Sequence, residues 1–205
     1  MSVKNLSLAT RAAEFKSIIE NSVCTDANNR VNHLDASIDN LANQLKVNRD
    51  HGNAVYLIGN GGSAGIASHA ITDFTNVCCL RAFTLHDPSL ITCMANDYGY
   101  ENAYARIIRT IMHPGDILIA ISSSGKSANI CNAANMATEM GGIVITLSGF
   151  NHDNPLRKLG DVNFWLNSDD YGFVELGHAF ILHNISDRIG MEMTQVKTTV
   201  IAEPA

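Results

Sequence analysis

His69 and Asp73 stand four residues apart, and Glu175 and His183 stand eight apart. On a helix those spacings return to one face after about one and two turns. Two imidazoles and two carboxylates offer the nitrogen and oxygen donors of a divalent-cation site, with zinc the natural occupant. The same spacing also suits a plain surface hydrogen bond, and the pairs alone do not decide between the two. His178 lies three residues beyond Glu175 and reads as a hydrogen-bonded helix residue. The second chemistry-bearing group is Ser122, Ser123, Ser124 and Ser127, four hydroxyls within six residues around Gly125 and Lys126. Hydroxyls placed beside the free N–H groups of a helix start hold a phosphate monoester without a large positive charge. A flexible serine-rich linker has a similar composition.

The flanking elements argue against a linker. Ile117 to Ile121 is an all-apolar run with the composition of a buried strand, and a helical pattern begins after Ser127. A turn of similar design lies upstream. Ala54 to Ile58 is a second apolar run, followed by Gly59, Asn60, Gly61 and Gly62, then Ser63 in the place of a helix N-cap. Strand, glycine turn and helix start make an anion cradle, because N–H groups and the helix dipole point into it. The pattern lacks the Gly-Lys-Ser/Thr ending of a nucleotide P-loop and does not fit GxGxxG. His69 and Asp73 fall on the helix that this cradle opens.

The rest of the chain supplies a frame for these turns. A first helix is expected from Leu8 to about Val23, with a break at Thr25 to Asn28. Val31, Leu34, Ile38, Leu41 and Leu45 then alternate by three and four residues, an a/d seam. Such a seam suits either a helix packed on its own domain or subunit packing, and we favour the latter. Further strands are expected at Phe83 to Leu85, Ile143 to Leu147 and Val162 to Leu166. A long helix follows from Tyr171 to about Met193, and the last ten residues look loose. Apolar strands alternating with helices indicate a parallel sheet covered on both faces, with ligands at the strands' carboxyl ends. Asp87, in a turn before Pro88, could receive sugar hydroxyls or simply form that turn.

With 205 residues and 46% hydrophobic content, the chain can bury the core of one α/β domain. A net charge of −6 without a long basic run argues against nucleic-acid binding. No apolar run reaches membrane-spanning length and no signal-peptide core is visible at the N-terminus, so no membrane association is expected. Five cysteines without a CxxC pair read as reduced, buried thiols of a cytoplasmic protein.

Four segments, taken together and in order, resemble the sugar isomerase (SIS) domain. They are GNGGSA at Gly59 to Ala64, ANDYGYEN at Ala95 to Asn102, ISSSGKSAN at Ile121 to Asn129 and ITLSG at Ile145 to Gly149. More narrowly, the chain is similar to bacterial phosphoheptose isomerases over nearly its whole length. The resemblance implies an α/β three-layer, flavodoxin-like sandwich with a five-stranded parallel sheet. It divides the chain into N-terminal oligomerisation helices (1–52), the SIS domain (53–195) and a tail (196–205). It also implies a homotetramer with active sites between subunits, and phosphate held by Ser122, Ser123, Ser124 and Ser127. Sugar contacts are implied for Asn60, Gly61, Gly62, Ser63, Asp87, Asn96 and Asp97. One zinc per subunit would be held by His69, Asp73, Glu175 and His183, with His183 also the catalytic acid. Asp73 stands where the family has a glutamate base, Glu175 where it has glutamine, and Gly172 where some members have aspartate. Either Asp73 or Glu175 is then the base. The expected activity is conversion of sedoheptulose 7-phosphate to D-glycero-D-manno-heptose 7-phosphate, for lipopolysaccharide or capsule precursors. The alternatives are a non-catalytic tetramer that binds a phosphosugar or a replication initiator, and an isomerase of another sugar phosphate.

Overall fold

The computed structural model describes residues 7–202. The elements, in order, are α1 (Leu8–Glu20), β1 (Val23–Asp26), β2 (Val31–Asn32), α2 (Leu34–Asp50), β3 (Ala54–Ile58), α3 (Gly62–Asn76) and β4 (Arg81–Thr84). They continue with α4 (Pro88–Tyr98), α5 (Ala103–Ile111), β5 (Ile117–Ser122), α6 (Ala128–Glu139), β6 (Ile143–Ser148), β7 (Val162–Trp165) and α7 (Tyr171–Ala202). Short 3-10 turns lie at Tyr100–Asn102 and Leu156–Lys158. Residues 1–6 of the expected N-terminal unit and 203–205 of the expected tail lie outside the described residues.

Among the described residues the sheet has seven strands, in the order β2-β1-β7-β6-β5-β3-β4. The five from β7 to β4 are the expected parallel strands. The other two correct the expectation: the chain between the first two helices is not a plain break but a hairpin, with β1 antiparallel to β7. Its turn is closed by Asp26, whose carboxylate accepts from the backbone N–H groups of Asn28 and Arg30, and Asn29 sits at φ 59°. An Asx side chain competing for backbone N–H groups in this way keeps the segment out of a helix.

The strands alternate strictly between two cores, as a period of two requires. Val55, Leu57, Ile117, Ile119 and Ile121 face a core completed by α1, α2, α3 and α7. Tyr56, Ile58, Leu118 and Ala120 face one completed by α5 and α6, with Ile91 and Met94 of α4 at its margin. The a/d seam belongs to the first of these: Ile38, Leu41 and Leu45 are buried within the chain. Val31 instead lies in β2 and is 72% exposed. These three seam residues therefore pack in this subunit's own core. Against that core α1 docks on α7 through Arg11, whose guanidinium lies 3.6 Å from the Phe173 ring centre and pairs with Asp170 at 3.0 Å. The helix after Tyr171 continues to Ala202, past the expected end near Met193. Cys24 and Cys78 are buried, but Cys79 and Cys93 are exposed, and all five thiols are free. No helix of the described residues is long and apolar enough to cross a membrane.

Candidate active site

β5 ends in the serine turn, and the turn opens α6. The chain reverses through a bond from Gly125 N–H to the Ser122 carbonyl at 3.0 Å, with Gly125 at φ 62°. Ser122 and Ser127 hydroxyls bond each other at 3.0 Å, and Ser124 Oγ accepts from Lys126 N–H at 3.2 Å. Ser127 is the N-cap of α6, but its hydroxyl makes no capping bond. The first-turn N–H groups of α6 thus have no side-chain cap of their own. Ser123 Oγ is buried without a hydrogen-bond partner, an orphan that an acceptor oxygen entering the turn would satisfy.

These hydroxyls border a cavity of about 160 Å³ shared with Asn60, Ser63, Tyr171 and Glu175. The first cradle faces it from β3. Ser63 is buried there, in the second position of α3 and not at its N-cap, which is Gly61 at φ 54°. A left-handed N-cap is what makes glycine necessary at that point. Asn60 is fixed by a reciprocal amide pair with Asn129, at 2.9 and 2.8 Å, and accepts from the Tyr100 hydroxyl at 2.9 Å. Cavity-lining hydroxyls, an amide and two helix starts make a neutral oxyanion grip. Glu175 is the one formal charge on its lining.

A second cavity, about 330 Å³, opens between α3 and α7. His69 and Asp73 come from α3 and His183 from α7, with apolar walls that include Ile66, Phe74 and Leu182. His183 Nδ1 lies 3.0 Å from Asp73 Oδ2, and the His69 and His183 ring centres are 5.1 Å apart. One donor atom from each of the three falls within 4.8 Å of the others. Three convergent nitrogen and oxygen donors, His69 exposed and the other two partly buried, fit a divalent cation with further positions left to solvent or substrate.

Glu175 does not join that group. Its carboxylate packs on the first turn of α3, where a Cβ at Gly62 would meet Glu175 Oε1 at 2.4 Å. Gly62 lines the histidine cavity and Glu175 the serine cavity, so their contact joins the two. His178 is fully buried, with Nε2 3.1 Å from the Ser148 carbonyl oxygen, as a structural histidine. Burial lowers its pKa to about 4.

The remaining candidates lie off these linings. Asp87 caps α4, its carboxylate accepting from Leu90 N–H at 2.9 Å. Asn96 and Asp97 are exposed on the last turn of α4 and bond each other at 2.9 Å. Tyr171, Tyr100 and Asn129 were not singled out from the sequence. Asn129 had a local signal, since the second residue of a helix that opens a cradle faces its ligand. Tyr171 had none, because its place beside the serines depends on how α7 returns to β5.

Comparison with known proteins agrees with this geometry. Residues 21–149 match the family model of the SIS domain. A phosphoheptose isomerase of Crocosphaera subtropica is 31% identical over 171 residues, covering 78% of this chain and 82% of that protein. The structure of a phosphoheptose isomerase from Neisseria gonorrhoeae superposes with a TM-score of 0.76 at 27% identity, over 89% of this chain and 97% of that one. One from Francisella tularensis gives 0.74 at 28% identity, over 90% and 98%.

Proposed function

The chain belongs to the SIS domain family, alongside its phosphoheptose isomerases, and from that premise we propose that it interconverts sedoheptulose 7-phosphate and D-glycero-D-manno-heptose 7-phosphate. The observation that carries the reading is the adjacency of two cavities, a neutral oxyanion grip and a His–Asp–His group, joined at Gly62 and Glu175. A non-catalytic phosphosugar binder needs the first cavity but has no use for the second.

In this assignment Ser122, Ser123, Ser124 and Ser127 hold the phosphate together with the start of α6. Gripping the phosphate fixes the sugar away from its reacting carbons and contributes binding energy to their positioning. Asn60 and Ser63, with the turn at Gly61 and Gly62, contact the sugar from the β3 side. Asp87, Asn96 and Asp97 contribute through the neighbouring α4. A carboxylate, Asp73 or Glu175, takes a proton from C1 of the ketose, and the enediolate is reprotonated at C2. His183, bonded to Asp73, exchanges the proton of the adjacent oxygen. His69, Asp73 and His183 would hold one zinc per subunit. Zinc, when bound, supplies polarisation of the substrate carbonyl.

We assign the reaction to the cytoplasm, in the supply of heptose for lipopolysaccharide or capsule. A homotetramer is the assembly we propose. Leu176 and Phe180 on α7 and Leu90 and Tyr98 on α4 are exposed, apolar surface that further copies would cover.

The test is proton NMR of purified protein with sedoheptulose 7-phosphate in deuterated water, with and without zinc. Turnover with deuterium at the carbon beside the carbonyl, lost in Asp73→Asn and His183→Ala, is expected. Absence of turnover from folded, zinc-supplemented protein would remove the phosphoheptose assignment.

A further inference from the structure

A third cavity, about 370 Å³, lies between the β1–β2 hairpin and the segment after β6. Thr25 and Asn29 line it from the hairpin, and His152, Asp153, Arg157 and Lys158 from the opposite side. None of these residues enters the chemistry above.

Its charge is unbalanced. Lys158 and Asp153 neutralise each other at 2.6 Å. Arg157 has no carboxylate partner among the described residues; its guanidinium donates to the His152 carbonyl at 2.9 Å and lies 4.9 Å from the Trp165 ring centre. Burial pushes its pKa down from the ordinary guanidinium value, against a smaller opposing pull from the Asp153 carboxylate, so its charge is held at a desolvation cost that is offset only in part. Thr25 is 3% exposed, and its hydroxyl has no hydrogen-bond partner. A guanidinium with no ion-pair partner among the described residues and an imidazole on one side of the cavity, across from a spare hydroxyl on the other, are the complement of a tetrahedral oxyanion.

We propose that this cavity is a second anion site, which takes the phosphate group of a small phosphorylated compound, with Arg157 as its principal ligand. The site does not depend on the isomerase assignment. It is physically tied to the serine turn, however, because Leu156 N–H bonds the Gly125 carbonyl at 3.0 Å. Any test must therefore separate the two sites.

Trp165 is the chain's single tryptophan and lies under Arg157, so it serves as an internal reporter. Pyrophosphate and orthophosphate are titrated into the full chain at constant ionic strength, with acetate as control. Bound anion per chain is counted in parallel by equilibrium dialysis. Two phosphates per chain and a saturable change in Trp165 emission are expected. Arg157→Gln should lose one phosphate and shift the emission titration by about tenfold or more. Arg157→Lys, which keeps the charge and the aliphatic stem, should weaken it by less and guards against misfolding. The double variant Ser124→Ala, Ser127→Ala should retain the Trp165 response. If the serine grip itself is wrong, wild-type protein will bind one phosphate, sensitive to Arg157 and not to the serines. A stoichiometry unaffected by Arg157→Gln, or acetate binding as well as phosphate, would overturn the proposal.

Discussion

Gly125 is the point at which the serine turn can be broken by a single methyl group. Its φ of 62° places it in the left-handed region, where a side chain costs about 1–2 kcal/mol. A Cβ there would also lie 1.9 Å from Asn154 Oδ1 and 2.2 Å from its Cγ. Asn154 must then retreat by about 1.5 Å to reach ordinary contact at 3.4 Å. It is fully buried and donates to Ser148 Oγ, the Gly149 carbonyl and the Asn151 carbonyl, while Oδ1 accepts from Arg157 N–H. Loss of two of these bonds costs about 2 kcal/mol, so Gly125→Ala should destabilise by about 3–4 kcal/mol in all. For a chain of this size that corresponds to a Tm about 10 °C lower, and weaker phosphosugar binding should accompany it. The assay is thermal unfolding of Gly125→Ala, Asn154→Gly and the double variant. Removing the Asn154 side chain removes the three atoms nearest the new methyl. The double variant should therefore be only about 1–2 kcal/mol less stable than Asn154→Gly. Additive losses would refute the clash as the cause.

His69→Ala should reduce bound zinc, measured by elemental analysis after dialysis, from one per chain to well below it, with unfolding little changed because His69 is exposed. Glu175→Gln removes the one carboxylate from the serine cavity lining; orthophosphate should bind about fivefold more tightly, from about 1 kcal/mol of relieved repulsion, while turnover falls if Glu175 is the base. Burial lowers the pKa of His178 in the folded chain to about 4, from an ordinary imidazole value of 6.5. The folded chain keeps it neutral while the unfolded chain takes up a proton, so its contribution is full above pH 6.5 and is lost as pH falls toward 4. The urea midpoint should drop across that window, by at most about 3 kcal/mol of stability, and His178→Gln should flatten the drop.

The parts of the fold that were legible in the sequence are those fixed by local chemistry. Ile117 to Ile121 and Ala54 to Ile58 are apolar without interruption because both faces of the central strands are covered. Glycine and serine turns following such runs announce cradles, since few other residues accept those backbone angles or leave helix N–H groups open. The β1–β2 hairpin was not legible, because Val31 continues the seam's three-and-four spacing while Asp26 diverts the backbone. The seam's partner was not legible either. Ile38, Leu41 and Leu45 have the same pattern whether they face a sister subunit or their own sheet, and only the packed chain shows the latter.

The site divides along the same line. Residue types and spacing determined the serine turn at the start of a helix, and determined that His69 and Asp73 share a helix face, because both rest on a few consecutive turns of backbone. Tertiary structure alone decided that His183 meets them while Glu175, on the same helix, does not. Eight residues on α7 span about two turns and about 12 Å, enough to reach from one cavity to the next. Which cavity each residue enters is set by how α7 lies across α3 and by the space left at Gly62, and a linear sequence holds neither distance.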